Sequence, residues 1–390
     1  MMRNLTLALA VSMTLTACGG GTDTPAPTPQ LFAQTNDTNN AVLRFNRNPN
    51  GTLSPLPAVQ TGGKGTNGVN YFMGNTVSPD ALTSNHSVIA SADGKRLFVA
   101  NAGDNTVSTM RIDANGGLSV QAVSPTGGIR PTSLAFANGV LYVTHQQGAN
   151  ELGAYRVGAD GKLAPIGQYA TVQQDALPTQ VSVSPDGKFV IVNVLLKSLQ
   201  PVQPNQTLLA FPVNPDGTLA QPVVSPSSGV GPFAGRFGTG SRAGVFVTAD
   251  APGGTASAYT FASTGAFSAT GTPVPVTGQA APCWISITPD NRFVYISNGQ
   301  GTVSLFSLDE RGRLSLGNPV AASEPGPASS TTSFASDSWI SPDGKFLYQD
   351  YSGADKIVSY AIGATGALAK VGEQPANTVS RVSLQGLTGI

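Results

Sequence analysis

Side chains that do chemistry are scarce in this sequence. Its 390 residues include two cysteines, two histidines and two tryptophans, and charged residues make up 11% of the chain. Cys18 and Cys283 cannot form a disulfide framework, and with Cys18 in an export segment one thiol is left to the mature chain. Two histidines and one thiol cannot furnish a zinc site. The Asp-bearing turns lack the carboxylate count and the terminal glutamate of a calcium loop. No metal is expected. Nor is a cofactor, since no phosphate-binding glycine loop or G-x-S-x-G elbow stands in a strand-to-helix context. The 21 basic residues balance 21 acidic ones, so nothing concentrates the positive charge that nucleic acid would require. The leading apolar stretch, Leu5 to Leu15, is too short to cross a bilayer.

The chain is instead rich in glycine (46) and proline (29), a composition for short strands and tight turns. Seven copies of a turn ending in Gly-x-Leu or Gly-x-Phe recur. They are NPNGTL at Asn48, DANGGL at Asp113, GADGKL at Gly158, NPDGTL at Asn214, ASTGAF at Ala262, DERGRL at Asp309 and GATGAL at Gly363. Their glycines are spaced 45 to 65 residues apart, a period that belongs to propellers, solenoids or arrays. A second element precedes them: SADGKRLFVAN at Ser91, SPDGKFVIVNV at Ser184, TPDNRFVYISN at Thr288 and SPDGKFLYQDY at Ser341. Proline, aspartate and glycine in that order make a hairpin turn between an alternating strand and a more continuously apolar one. FANGVLYVTH at Phe136 and FGTGSRAGVFVTA at Phe237 are degenerate copies.

Four strands per repeat, arranged radially, describe a propeller blade. The predicted fold is all-β: a seven-bladed β-propeller of four antiparallel strands per blade. Blade one lacks its own first strand, because nothing ahead of Leu31 can supply one. The segment Val379–Thr388 follows a complete seventh blade and is expected to complete blade one, closing the ring. Gly62–Leu82 is a long insertion before blade two, and Lys197–Asn205 lengthens a loop in blade four.

Residues 1–17 read as a signal peptide. Leu15-Thr16-Ala17-Cys18 resembles the lipobox of bacterial lipoproteins, which implies a diacylglycerol on Cys18. Gly19 after the cysteine implies the outer membrane. Residues 18–30 read as a disordered Pro/Thr-rich tether and 31–390 as the propeller. The expected location is the bacterial cell envelope, with membrane contact through the lipid alone.

SPDGK turns followed by Gly-x-Leu hairpins, seven times over, resemble the lactonase family of seven-bladed propellers, which contains 6-phosphogluconolactonase and the carboxymuconate-cyclising enzymes. The resemblance spans residues 31–390 and implies a hydrolase that opens a cyclic ester at the mouth of the channel. The family's fourth-blade motif is His-x-His before the turn and Asp-Leu-Gly after the second strand. Here Leu177-Pro178-Thr179 and Val194-Leu195-Leu196 stand in those places. In the fifth blade Gly231 and Pro232 match the family's Gly-Pro-Arg-His, but Phe233 and Ala234 replace the last two, and Ala249-Asp250 replaces Asn-Glu.

By this resemblance the first strand of each blade lines the channel, which places His86, Thr179, Phe233, Cys283 and Ser336 there, with Gln180 beside them. His86 and Asp250 are the candidate catalytic residues, each able to orient water. For His86 the plainer reading is a hydrogen-bonded channel residue, because the sequence gives it no acid partner. Arg130, Arg236, Trp284, Asp337 and Trp339 are the candidate ligand-binding residues: arginines to clamp a carboxylate, tryptophans for stacking. Cys283 reads as buried and inert, and His145 as structural. Two functions stay open: a lactone hydrolase, or a non-catalytic envelope propeller that binds a small molecule, a glycan or a protein.

Overall fold

The computed structural model describes residues 28–80, 82, 85–173, 175–327 and 332–390; the signal segment and Cys18 lie outside them. Seven sheets form, each of at least four antiparallel strands. Blade two shows the plan: Val88–Ala90 innermost, then Arg96–Asn101, Thr106–Ile112 and Leu118–Pro125. The first strands of blades three to seven are Ile129–Ala137, Leu177–Val183, Pro232–Phe237, Pro282–Ile287 and Ala335–Ile340. In blade one the inner strand is Gln385–Gly389, the last of the chain, paired antiparallel to Gln30–Gln34 with Phe32 opposite Thr388. The ring therefore closes on the tail, through a strand that starts six residues later than expected. Val379 to Leu384 instead form an irregular run that feeds it.

Two kinds of turn collect on one face of the ring. In the first, a hydroxyl and a carboxylate lock the hairpin: Ser341 Oγ donates to Asp343 Oδ1 at 2.6 Å, and the amides of Phe346 and Lys345 bond back to that pair at 3.0 and 3.2 Å. The same net recurs at Ser91/Asp93, Ser184/Asp186 and Thr288/Asp290. The second kind, Gly-x-Leu, docks one blade on its predecessor. Gly366 of blade seven, at φ +81°, lies so close to blade six that a Cβ would sit 2.7 Å from the Phe293 ring, and its carbonyl accepts from Tyr295 Oη at 2.8 Å. Seven repeats thus carry seven glycines because each turn must lie flat against a neighbour. Gly366→Ala should destabilise the protein by about 3 kcal/mol, from left-handed strain and the displaced ring, and lower Tm by roughly 5 °C or more. Gly278→Ala is the control. Its φ is +75° but no atom lies within 4 Å of its Cβ position, so it should show the backbone part alone.

Among the described residues the apolar side chains fall into seven clusters, one per blade interface. Blades one and two share Phe32, Val42, Val88, Leu97 and Met110; blades seven and one share Leu31, Ala33, Tyr348, Ile357, Leu384 and Leu387. The central strands are apolar on both sides because each meets two neighbouring blades.

The opposite face, the loop face, carries two projections. The insertion forms a small ribbon from Val69–Asn70 and Thr76–Val77. In blade four Phe189–Leu199 runs past the sheet and pairs with Val202–Pro204, making a second arm.

Candidate functional site

Between the two arms lies a cleft of about 370 Å³, with Tyr71 on one wall, Ser198, Leu199 and Gln200 on the other, and Gln146, Gln147, Gln173 and Asp175 between. Arg130 stands behind Tyr71. Entry into the first strand of blade three requires a left-handed residue, and Arg130 takes it at φ +57°. Its amide donates to Asn105 Oδ1 at 2.9 Å, its Nη1 donates to the Val69 carbonyl at 3.1 Å, and its guanidinium sits 5.6 Å from the Tyr71 ring centre. Asp80 closes the insertion and is 3% exposed. It accepts from the Leu82 amide at 3.1 Å. Burial pushes its carboxyl up to about 6, while the Leu82 amide, the Arg130 charge and the Gln146 amide restrain it from going higher. The sequence reasoning missed Asp80, although Ser78-Pro79-Asp80 repeats the blade-turn triplet inside the insertion.

The channel is built differently from the expectation. Its polar groups bond neighbouring inner strands to one another. The Leu134 amide donates to the His86 carbonyl at 3.0 Å, and the Val181 amide to Ser133 Oγ at 3.1 Å. Gln180 exchanges two bonds with the Gly235 backbone at 2.8 and 2.9 Å. Arg236 Nε donates to the Ile285 carbonyl at 3.2 Å, and the Ser286 and Ser338 hydroxyls meet at 2.7 Å. Asp337 Oδ2 accepts from the His86 amide at 3.1 Å, and its Oδ1 from Ser338 at 3.0 Å. Over the mouth, Leu82 packs into the cluster of Phe233 and Trp284, and Asn85 Nδ2 reaches the Phe233 carbonyl at 3.4 Å.

His86 Nε2 lies 3.0 Å from Arg236 Nη2. A guanidinium can only donate, so Nε2 holds the lone pair and Nδ1 carries the proton. Both side chains keep a sliver of surface on the lumen yet sit deep among protein atoms. Burial, then the Arg236 charge, lowers the His86 pKa to about 3, so the ring stays neutral. Asp337 is pushed up to about 7 by burial, against the pull of its donors and of Arg236. Asp350 lies behind it, fully buried, with neither carboxyl oxygen hydrogen-bonded. Burial, then the charge of Asp337, raises its pKa well above the usual carboxylate value. The folded state therefore holds a proton that the unfolded chain releases above about pH 4, and stability falls as pH rises through that range. Asp350→Asn should reduce this slope to the part that Asp337 contributes. Its Tm should match the parent near pH 4 and exceed it by a margin that grows towards pH 8.

The expected site residues thus divide. His86, Arg236 and Asp337 come together with Gln180. Arg130 lies behind the cleft wall, against Tyr71. Asp250 is fully buried and bonded to the hydroxyls of Thr248, Thr255 and Ser257 at 2.8, 3.0 and 2.6 Å. Asn298 makes the matching bonds to Thr302 and Ser304 at the same place in blade six. Asp250 is therefore the carboxylate version of a structural asparagine. Trp284 is wedged between Phe233 and Phe334, whereas Trp339 lies under the Arg47 guanidinium, 5.0 Å away, at the blade seven–one interface. The two tryptophans do not share a surface. Cys283 is buried and its thiol is pushed up, and His145 is buried with its pKa lowered to about 4. Among the described residues no three His, Cys, Asp or Glu side chains gather as a metal site would need.

Fold and site define a closed seven-bladed propeller with a riveted polar channel and a loop-face cleft. The sequence matches the family model for the lactonase seven-bladed β-propeller over residues 34–176 and 241–380, and the chain belongs to that family. The unmatched stretch between those segments contains Leu177–Thr179, Val194–Leu196 and Gly231–Ala234, whereas Ala249-Asp250 lies within the second matched segment. Among solved structures, the chain is similar to a putative 6-phosphogluconolactonase of Bacteroides fragilis, with 19% identity, a TM-score of 0.69, and coverage of 93% of this chain and 98% of that one. It is also similar to the periplasmic gluconolactonase PpgL of Pseudomonas aeruginosa, with 17% identity, a TM-score of 0.69, and coverage of 93% and 99%. At these identities the likeness is one of fold. No curated protein matches the sequence.

Proposed function

We propose that this protein is a lactone hydrolase of the bacterial cell envelope, working in the loop-face cleft. The observation that carries the reading is the nearly buried Asp80 carboxyl, which lies behind the cleft-lining Gln146 and within the field of the Arg130 charge. A carboxyl near pKa 6 is matched to proton transfer at neutral pH. Water attacks the lactone carbonyl and Asp80 takes its proton, through one bridging water because Asp80 itself is nearly enclosed. The Arg130 charge favours the oxyanion. The ring C–O bond then breaks and the proton passes to the departing alkoxide, giving a hydroxy acid. Family membership supports this chemistry. Export, which the signal segment implies, would favour substrates without phosphate, since sugar phosphates belong to the cytosol. The chain enters blade one on the turn face, where the Pro29 carbonyl accepts from the Arg47 amide at 3.0 Å. A lipid on Cys18 would therefore hold the cleft away from the bilayer.

The test uses the mature protein with δ-gluconolactone and δ-valerolactone against a buffer blank. Opening above the blank is expected, with a rate that rises with pH around 6. Asp80→Asn should lower kcat by about 100-fold or more. If none of the lactones is opened faster than in buffer, the hydrolase reading fails. One observation favours a second reading, a propeller that binds without catalysis: Asp80 is nearly enclosed and the lone pair of His86 is held by Arg236. It predicts a ligand-induced rise in Tm with no turnover.

A further inference from the structure

The rim of the cleft is apolar where its floor is polar. Among the described residues, large hydrophobic side chains that stand exposed are mostly valines; the exceptions are Phe72, Met73 and Ile129. None of the three lines the cleft, but each adjoins a residue that does. Phe72 (45% exposed) and Met73 (59%) form the tip of the insertion ribbon, next to Tyr71. Ile129 reaches towards Gly148 of the lining, its Cδ1 standing 3.5 Å from that glycine's Cβ position. Val202 (62%) crowns the facing arm, three residues beyond Leu199. Exposed apolar groups that converge around a concavity mark a binding surface, while scattered ones need no explanation. Below them the lining is glutamine, serine and aspartate. A volume of about 370 Å³ sits at the small end of ligand sites, enough for a ring of a few polar atoms and little more.

We infer that the cleft takes an amphiphilic ligand: a lactone ring carrying an alkyl or acyl chain, with the ring among the glutamines and the chain laid across Phe72, Met73, Ile129 and Val202. The identity of the head group rests on the lactone-hydrolase reading; the place for the tail does not. An unsubstituted sugar lactone would leave the four apolar rim residues in water. A chain covering them would remove apolar area on both partners, and each half-covered methylene contributes about a twofold gain in affinity.

The experiment compares δ-valerolactone with δ-decalactone and δ-dodecalactone on the intact mature protein, by rate of opening and by calorimetric binding to the Asp80→Asn variant. Affinity for the longest chain should exceed that for the shortest by about tenfold or more. In Phe72→Ser/Met73→Ser that ratio should fall towards one. Chain-length-dependent binding without opening would uphold the amphiphile inference and sink the hydrolase reading. Opening at equal rates for all chain lengths would overturn the inference and leave the hydrolase reading standing, and equal binding without opening would overturn both. Failure of every lactone to bind would overturn the inference.

Discussion

Removing residues 385–390 is expected to abolish cooperative folding. The deletion takes away the inner strand of blade one, and with it the ladder in which Leu31 faces Gly389 and Ala33 faces Leu387. It removes the bond from the Ile390 amide to the Gln30 carbonyl at 3.0 Å and that from Arg47 Nη2 to the Ile390 carbonyl at 2.8 Å. Leu387, 3% exposed, leaves the cluster it shares with Tyr348 and Ile357, at about 2–5 kcal/mol for a buried leucine. Blades one, two and seven each lose a packed neighbour, and blade one gains an open edge. The sum is comparable to the whole stability of a domain. Circular dichroism of the truncated protein should show no sharp thermal transition. A circular permutant that joins Ile390 to Gln30 through a short linker should melt as the parent does, because the ends already touch. A truncated protein that melts cooperatively within a few degrees of the parent would show that closure does not hold the ring together.

Arg236→Met should lower stability at pH 7 by about 3 kcal/mol, the order found when one partner of a buried charged network is removed. The change leaves the Ile285 carbonyl and His86 Nε2 without their donor and leaves Asp337 without the charge that restrains its pKa. The pH dependence separates this from simple loss of packing. Asp337 is already raised to about 7, so its folded form binds a proton that the unfolded form has lost, and stability declines as pH rises from about 4 towards 7. Without Arg236 the folded pKa goes higher, and the decline extends further. The variant's deficit should be smallest near pH 5 and largest near pH 8. Denaturant unfolding at those two pH values is the check, and a deficit independent of pH would dismiss the electrostatic account. The prediction also bears on function. If the channel is a rivet and the cleft is the working site, Arg236→Met should reduce stability far more than ligand binding at a temperature where it stays folded.

The propeller was legible because its signals are local and repeated. Proline, aspartate and glycine impose a hairpin wherever they fall, and a glycine seven times in the same turn implies a packing constraint met seven times. The missing first strand and the surplus tail were legible by the same count. The channel was legible only in part. Arg236 and Asp337 could be placed on inner strands, and His86 at the entry to one, by their distance from the turns, but that each would be consumed by bonds between neighbouring blades could not. Asp250 misled for a related reason. A carboxylate at the end of a strand looks the same in sequence whether it meets a ligand or the hydroxyls of Thr248, Thr255 and Ser257.

The cleft was the least legible part. Arg130 is legible as a possible anion clamp, but nothing in the sequence brings Asp80 within the field of Arg130, fifty residues away. That meeting depends on the path of an irregular segment, which is set by where Leu82 finds a buried seat and where Gln385 Nε2 finds the Asp80 carbonyl at 3.3 Å. By itself, the order of residues determined the number of blades, the turns between strands and the closure of the ring, because these follow from periodicity and backbone preference. Only the tertiary structure decided which polar groups are spent holding blades together and which are left beside a cleft, because that depends on distances between residues far apart in the chain.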